Sequence, residues 1–161
     1  MTGVQTCALP ISVCVPNLEQ GREFYAGMFG FELLDTLEWP VGTEMADYTV
    51  GLQGSAARGY VTQGANCYLE LWQYSSPKPQ GEPVQRGAND FGIRHLAFEV
   101  DNVEQAVEQL LQLGGSIMNP PMRVPEIPSM SEELALYCRD PFGNIIELLE
   151  VGKYFPRLAD L

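Results

Sequence analysis

At 161 residues, with 45% hydrophobic and 10% aromatic content, the chain has the size of one compact domain or of two small halves sharing a core, and it is expected to fold without staples. Nine basic against 21 acidic residues leave a formal net charge of −12, which repels phosphate backbones and anionic bilayer surfaces, so neither nucleic acid nor a membrane is an expected partner. No apolar run approaches the roughly 20 residues that span a bilayer, and no basic n-region of a secretory signal opens the chain, which points to the cytoplasm.

In chain order, a first module is expected over residues 12–75. The alternating run ISVCV reads as a strand, Asn17 is suited to N-cap a helix over residues 18–29, and Gly30 closes that helix. FELLDTLEW, ARGYVTQGA and CYLELWQY then carry strand signals. Residues 76–93, rich in proline, glycine and polar side chains, read as a linker. A second module is expected over residues 94–151. HLAFEV reads as its first strand, Asn102 opens a helix over residues 102–113, and Gly114-Gly115 ends it. GSIMN, ELALYC and NIIELLEV complete the strands, and residues 152–161 form a tail. The run MNPPMRVPEIPSM, residues 118–130, is either an inert loop or a stiff apolar lid. Cys7, Cys14, Cys67 and Cys138 lack the short paired spacing of a zinc site and read as free thiols.

The halves repeat one another. Val15, Asn17, Glu19, Gln20 and Gly30 fall on Val100, Asn102, Glu104, Gln105 and Gly115 at an offset of 85 residues. Each half therefore reads βαβββ, an α+β architecture of two tandem modules.

This duplicated unit, opened in its second copy by GIRHLAFEVDNVEQAVEQLLQLG and closed by CRDPFGNIIELLEV, resembles the vicinal oxygen chelate superfamily, which includes glyoxalase I, methylmalonyl-CoA epimerase, extradiol dioxygenases and bleomycin-resistance proteins. The resemblance covers residues 11–151, and its most specific part is the DPFGN turn followed by an apolar-Glu-apolar strand. It implies that the two modules curve their mixed sheets around one pocket, with a divalent metal held by residues of the first and last strands of each. Carried over position by position, His95, Glu147 and Glu70 match three of the ligands. The fourth, usually His or Gln, should lie 85 residues before His95, and that residue is Pro10. Residues 1–11 correspond codon by codon to a translated short-read sequencing adapter, so this segment is read as non-native and the first ligand as overwritten.

Strand alternation agrees with the assignment. His95 shares a face with Ala97 and Glu99, and Glu70 shares one with Tyr68, Trp72 and Tyr74, while Glu147 lies between Ile146 and Leu148, which point the other way. A glutamate inside an apolar strand needs compensation for its burial, and a metal supplies it. One imidazole and two carboxylates suit Fe, Mn, Ni, Co, Zn or Mg. The bland alternatives are a hydrogen-bonded core histidine, a rim charge at Glu70, and plain core packing for the three aromatic residues. Tyr68, Trp72, Tyr74, Arg94 and Arg123 are candidate substrate contacts, with surface charge the alternative for the two arginines.

The resemblance implies chelation of a small molecule bearing adjacent oxygens, with Glu147 or Glu70 moving a proton. Three activities follow: a glyoxalase- or epimerase-type lyase or isomerase, a ring-cleaving dioxygenase, or a metal-free binding or resistance protein. The dioxygenase needs two histidines, and this chain has one. Three ligand matches of four argue against the metal-free reading. The family also implies a homodimer.

Overall fold

The computed structural model describes residues 10–80, 87–123 and 134–150. The chain divides into two compact units, Met1–Gly81 and Glu82–Leu161.

The first unit begins with β1 (Ile11–Cys14) and turns into α1 (Leu18–Phe29). The Asn17 side chain accepts a hydrogen bond from the Gln20 N–H, satisfying one of the orphan donors of the first turn, and Gly30 closes the helix at φ 68°, a left-handed conformation that glycine adopts without a Cβ penalty. After α1 come β2 (Glu32–Trp39), α2 (Glu44–Val50), β3 (Ala56–Gln63) and β4 (Tyr68–Ser76). The sheet order is β1-β4-β3-β2, with β1 parallel to β4 and the other pairs antiparallel. α1 packs on β3 and β4, and Leu18, Phe24, Tyr25, Leu69 and Leu71 are buried. Each such side chain contributes roughly 1.5–3 kcal/mol by leaving water. Leu69 and Leu71 face the helix, so Tyr68, Glu70, Trp72 and Tyr74 point out of the opposite face of the sheet.

α2 was not expected: its first turn carries Glu44 and Asp47, it buries no residue, and so it lacks the apolar stripe by which helices are recognised. It is tied down by polar bonds instead. The Asp47 carboxylate accepts from the backbone N–H groups of Gly54 and Ser55 and from the Ser55 hydroxyl. These three donors hold the Asp47 carboxyl below its usual range, the Ser55 hydroxyl contributing most.

The second unit comprises β5 (His95–Glu99), α3 (Val103–Gln112), β6 (Ser116–Ile117), β7 (Met122–Arg123), β8 (Leu134–Arg139) and β9 (Ile145–Leu149). β5 runs parallel to β9, which pairs antiparallel with β8, and β6 and β7 both pair with β8. Asn102 caps α3 by accepting from the Gln105 N–H, repeating the device of α1. Val103, Ala106 and Leu110 line the buried side of α3, which packs on β8 and β9, where Leu136, Cys138, Ile146 and Leu148 are buried.

This unit corrects the expected strand pattern in two places. GSIMN pairs over Ser116–Ile117 alone, and Met122–Arg123, inside the run read as loop or lid, forms a short strand against Leu134 and Ala135. Among the described residues the sheet therefore has five strands rather than four. The prolines at 120 and 121 supply no N–H to a ladder, which splits one strand into two short ones. The remainder of that run, residues 124–130, lies outside the described residues, as do residues 1–9 and the tail.

The DPFGN turn sets the register of β8 against β9. The Asp140 carboxylate, 3% exposed, accepts from the Phe142 and Asn144 backbone N–H groups and from the Asn144 side-chain amide, and Gly143 takes φ 93°. Pairing is then symmetric about Phe142, so Tyr137 stands beside Glu147.

Candidate metal centre

In the second unit the structure brings His95 and Glu147 together. His95 opens β5 and Glu147 sits at the centre of β9, with Nε2 of the imidazole 3.2 Å from Oε2 of the carboxylate. Ile146 and Leu148 are fully buried on the helix side, which forces Glu147 onto the other face, where its side chain is 18% exposed. The Tyr137 ring lies 4.9 Å from the His95 ring at an interplanar angle of 39°. Burial first, and then the Glu147 carboxylate, push the Tyr137 hydroxyl above its usual range, so it stays a proton donor through neutral pH.

In the first unit Glu70 stands at the centre of β4, where Nε1 of Trp72 donates to its Oε2 at 3.1 Å. Trp39 packs on Trp72 at a centroid separation of 5.0 Å and meets Tyr74 edge-on at 6.0 Å. Burial, then the charges of Cys14 and Glu70, raise the Tyr74 hydroxyl. Tyr68, at the start of β4, is exposed.

The hydrogen-bond registers relate the two carboxylates. Ser12 pairs with Glu70 between parallel β1 and β4, and Ala97 pairs with Glu147 between parallel β5 and β9. His95 precedes Ala97 by two residues, and Pro10 precedes Ser12 by two. Residue 10 therefore occupies, in its own unit, the place that His95 occupies in the other.

The donor chemistry fits a divalent ion. Adjacent corners of an octahedron with bonds of about 2.1 Å lie about 3 Å apart, close to the His95–Glu147 separation, and imidazole and carboxylate are ligands that Zn, Mn, Fe, Ni and Co accept. At Glu70 the indole of Trp72 holds Oε2, and Oε1 is the oxygen left for another partner. Among the described residues no group of three or more His, Cys, Asp or Glu side chains is gathered at one point, so the observed donor sets are the His95–Glu147 pair and Glu70 by itself.

The arginines are placed differently from the aromatic residues. Arg94 lies next to His95 in the chain, and its Nε is buried without a hydrogen-bond partner among the described residues. Arg123 ends β7, exposed, at the pairing with Leu134. Sequence reasoning missed Tyr137 and Trp39. The first was legible in principle, because a hairpin closed at DPFGN places residue 137 opposite residue 147; the second was hidden by the irregular register at Leu33/Asp35, which shifts the pairing of β2.

Residues 8–148 match the family model described as Glyoxalase/Bleomycin resistance protein/Dioxygenase superfamily, and the chain belongs to that superfamily. It is 27% identical over 144 residues to a 2-epi-5-epi-valiolone epimerase from Actinomyces sp, covering 88% of this chain and 77% of that protein. It is 24% identical over 141 residues to a mitochondrial methylmalonyl-CoA epimerase from Dictyostelium discoideum, covering 87% and 75%. Among solved structures, a glyoxalase family protein from Bacillus cereus superposes with a TM-score of 0.79 at 18% identity, over 93% of this chain and 97% of that one. A fosfomycin resistance protein, FosX, from Listeria monocytogenes, solved with Mn(II) and sulfate, superposes with a TM-score of 0.59 at 16% identity, over 92% and 95%.

Proposed function

We propose that the chain is a divalent-metal-dependent isomerase of epimerase type, acting on a small molecule with oxygens on adjacent carbons. The observation that carries this reading is the His95–Glu147 pair on β5 and β9, together with Glu70 at the register-equivalent position of the other unit. Similarity to two epimerases supports the choice among the activities of the superfamily.

His95, Glu147 and Glu70 are the proposed ligands, and a bound divalent ion would polarise the substrate oxygens and acidify the neighbouring C–H bond. In the proposed reaction a Glu147 or Glu70 carboxylate oxygen takes the proton from the carbon next to the carbonyl, and the electron pair of the C–H bond moves into the enolate. Return of a proton to the opposite face of that carbon, from the other of the two glutamates after exchange with solvent or from solvent itself, inverts it, so no oxidant or reductant is consumed. Tyr137, protonated at neutral pH, is suited to donate a hydrogen bond to a substrate oxygen. Tyr68, Trp72 and Tyr74 are proposed as the apolar wall, and Arg94 and Arg123 as contacts for a substrate carboxylate.

The test is solvent exchange. Incubation of the protein and Mn(II) or Co(II) with the α-hydroxy ketone 2-epi-5-epi-valiolone in D2O should wash deuterium into the carbon beside the carbonyl, read as loss of its proton NMR signal. Glu147→Gln should slow this by roughly 100-fold to 10,000-fold. Metal binding without any exchange in this and other α-oxygenated carbonyl compounds would overturn the reading.

A further inference from the structure

We propose that Trp72 is a positioning residue for Glu70: its indole N–H holds one carboxylate oxygen and leaves the other, Oε1, as the single atom available to a metal or a proton. This rests on the assignment of Glu70 as a ligand above. The two side chains stand two residues apart on the same face of β4, and Nε1 donates to Oε2 at 3.1 Å. A glutamate side chain on a strand turns about several torsions, and one fixed oxygen removes most of that freedom before a ligand arrives.

The indole is itself held from both sides. Gly59 lies beneath it on β3, at the position paired with Trp72, and a Cβ there would clash with the ring carbons. On the next strand Trp39 packs against it at 5.0 Å, and the Trp39 N–H donates to Oγ of Ser55 at 3.0 Å. Ser55 is fully buried and bonds Asp47 of α2. An unbroken series of contacts thus runs from Asp47 through Ser55, Trp39 and Trp72 to Glu70. This gives α2, which buries no residue of its own, a purpose in the unit: it anchors the far end of the series. Glu147 has no such donor two residues on, where Leu149 stands; its partner is the imidazole of His95. The two carboxylates are therefore oriented by different means, one by an indole and one by a fellow ligand.

The experiment is a double-mutant cycle read by calorimetric titration with Co(II), on wild type, Trp72→Phe, Glu70→Gln and the pair combined. Phenylalanine keeps a ring over Gly59 and removes only the donor. Trp72→Phe should weaken Co(II) binding about tenfold, Glu70→Gln tenfold or more, and the combination no more than Glu70→Gln does alone. Additive losses, or a Trp72→Phe protein that binds as wild type does while Glu70→Gln is weakened, would overturn the positioning role. Unchanged binding by Glu70→Gln would instead overturn the ligand assignment. Should Trp72→Phe fail to fold, Trp39→Phe leaves Trp72 as the only tryptophan of the chain. Co(II) should then quench its emission, and adding Glu70→Gln should abolish the quenching; emission insensitive to Co(II) at saturating metal would overturn the proposal.

Discussion

Pro10 is the residue on which the proposed metal affinity turns. It has neither an imidazole nor a backbone N–H, and β1 starts only after it, at Ile11. Because β1 pairs with β4 in the same register as β5 with β9, Pro10→His places an imidazole where the first unit lacks one. Affinity for Co(II) or Ni(II), measured by competition with a chelator, is expected to rise about tenfold or more. Cys138 makes a second prediction. It is fully buried, and burial, with a smaller push from Asp140, raises its thiol to about 12. The folded value lies above the unfolded one, near 9, so the unfolded chain loses this proton first as pH rises. The contribution is complete below pH 9 and is lost between 9 and about 12. Urea titrations across that range should show stability falling with pH for wild type and a shallower fall for Cys138→Ala. In the native state a thiol reagent should modify exposed Cys14 while Cys138 stays protected.

At the scale of elements, the turn that closes the β8–β9 hairpin carries more than its length suggests. Asp140 terminates β8 and gathers three N–H donors onto one buried carboxylate. Asp140→Ala leaves those donors unpaired and should cost about 3 kcal/mol by denaturant titration, with the β8–β9 hairpin losing amide-exchange protection first. Gly59 in β3 is required by close approach rather than by its dihedral angles, since the Trp72 ring occupies the space of a side chain. Gly59→Ala should destabilise by about 1–3 kcal/mol and weaken metal binding with it, because displacing the ring displaces the donor to Glu70. Of these elements, α1 and α3 were legible from the sequence: their Asn caps and apolar stripes are local signals, and the observed helices, Leu18–Phe29 and Val103–Gln112, match expectation to within a residue at each end. α2 and β7 were not, because polar bonds to Gly54 and Ser55 hold the one and two backbone pairs with β8 hold the other.

For the whole molecule, a net charge of −12 makes self-repulsion a standing cost of the folded state. Raising NaCl from about 10 mM to about 150 mM shortens the Debye length from about 30 Å to about 8 Å and should lift Tm by a few degrees. No DNA retardation is expected at either salt concentration. No helix among the described residues is long and apolar enough to cross a membrane. A metal that binds only the folded chain stabilises by mass action: at a hundredfold excess over Kd the gain is about 2.7 kcal/mol, or about 5–10 °C in Tm for a chain of this length. Glu147→Gln should abolish that shift for Mn(II) and Co(II). A homodimer is the proposed assembly, and light scattering decides it.

The sequence by itself determined the family, the α+β class, the two capped helices and the residue types of the candidate site, because duplication, strand alternation and capping are written in near neighbours. It also located Pro10 as the counterpart of His95, since an 85-residue repeat is an arithmetic property of the chain. Tertiary structure alone decided how the side chains meet: that Tyr137 lies on His95, that Trp72 bonds Glu70 and leans on Trp39, and that a polar helix anchors the last of these. Except for the Trp72–Glu70 bond within β4, those contacts join elements that are distant in sequence, and their partners are chosen by sheet register, which irregularities at Leu33/Asp35 and Ala56/Ala57 shift and which no local pattern encodes.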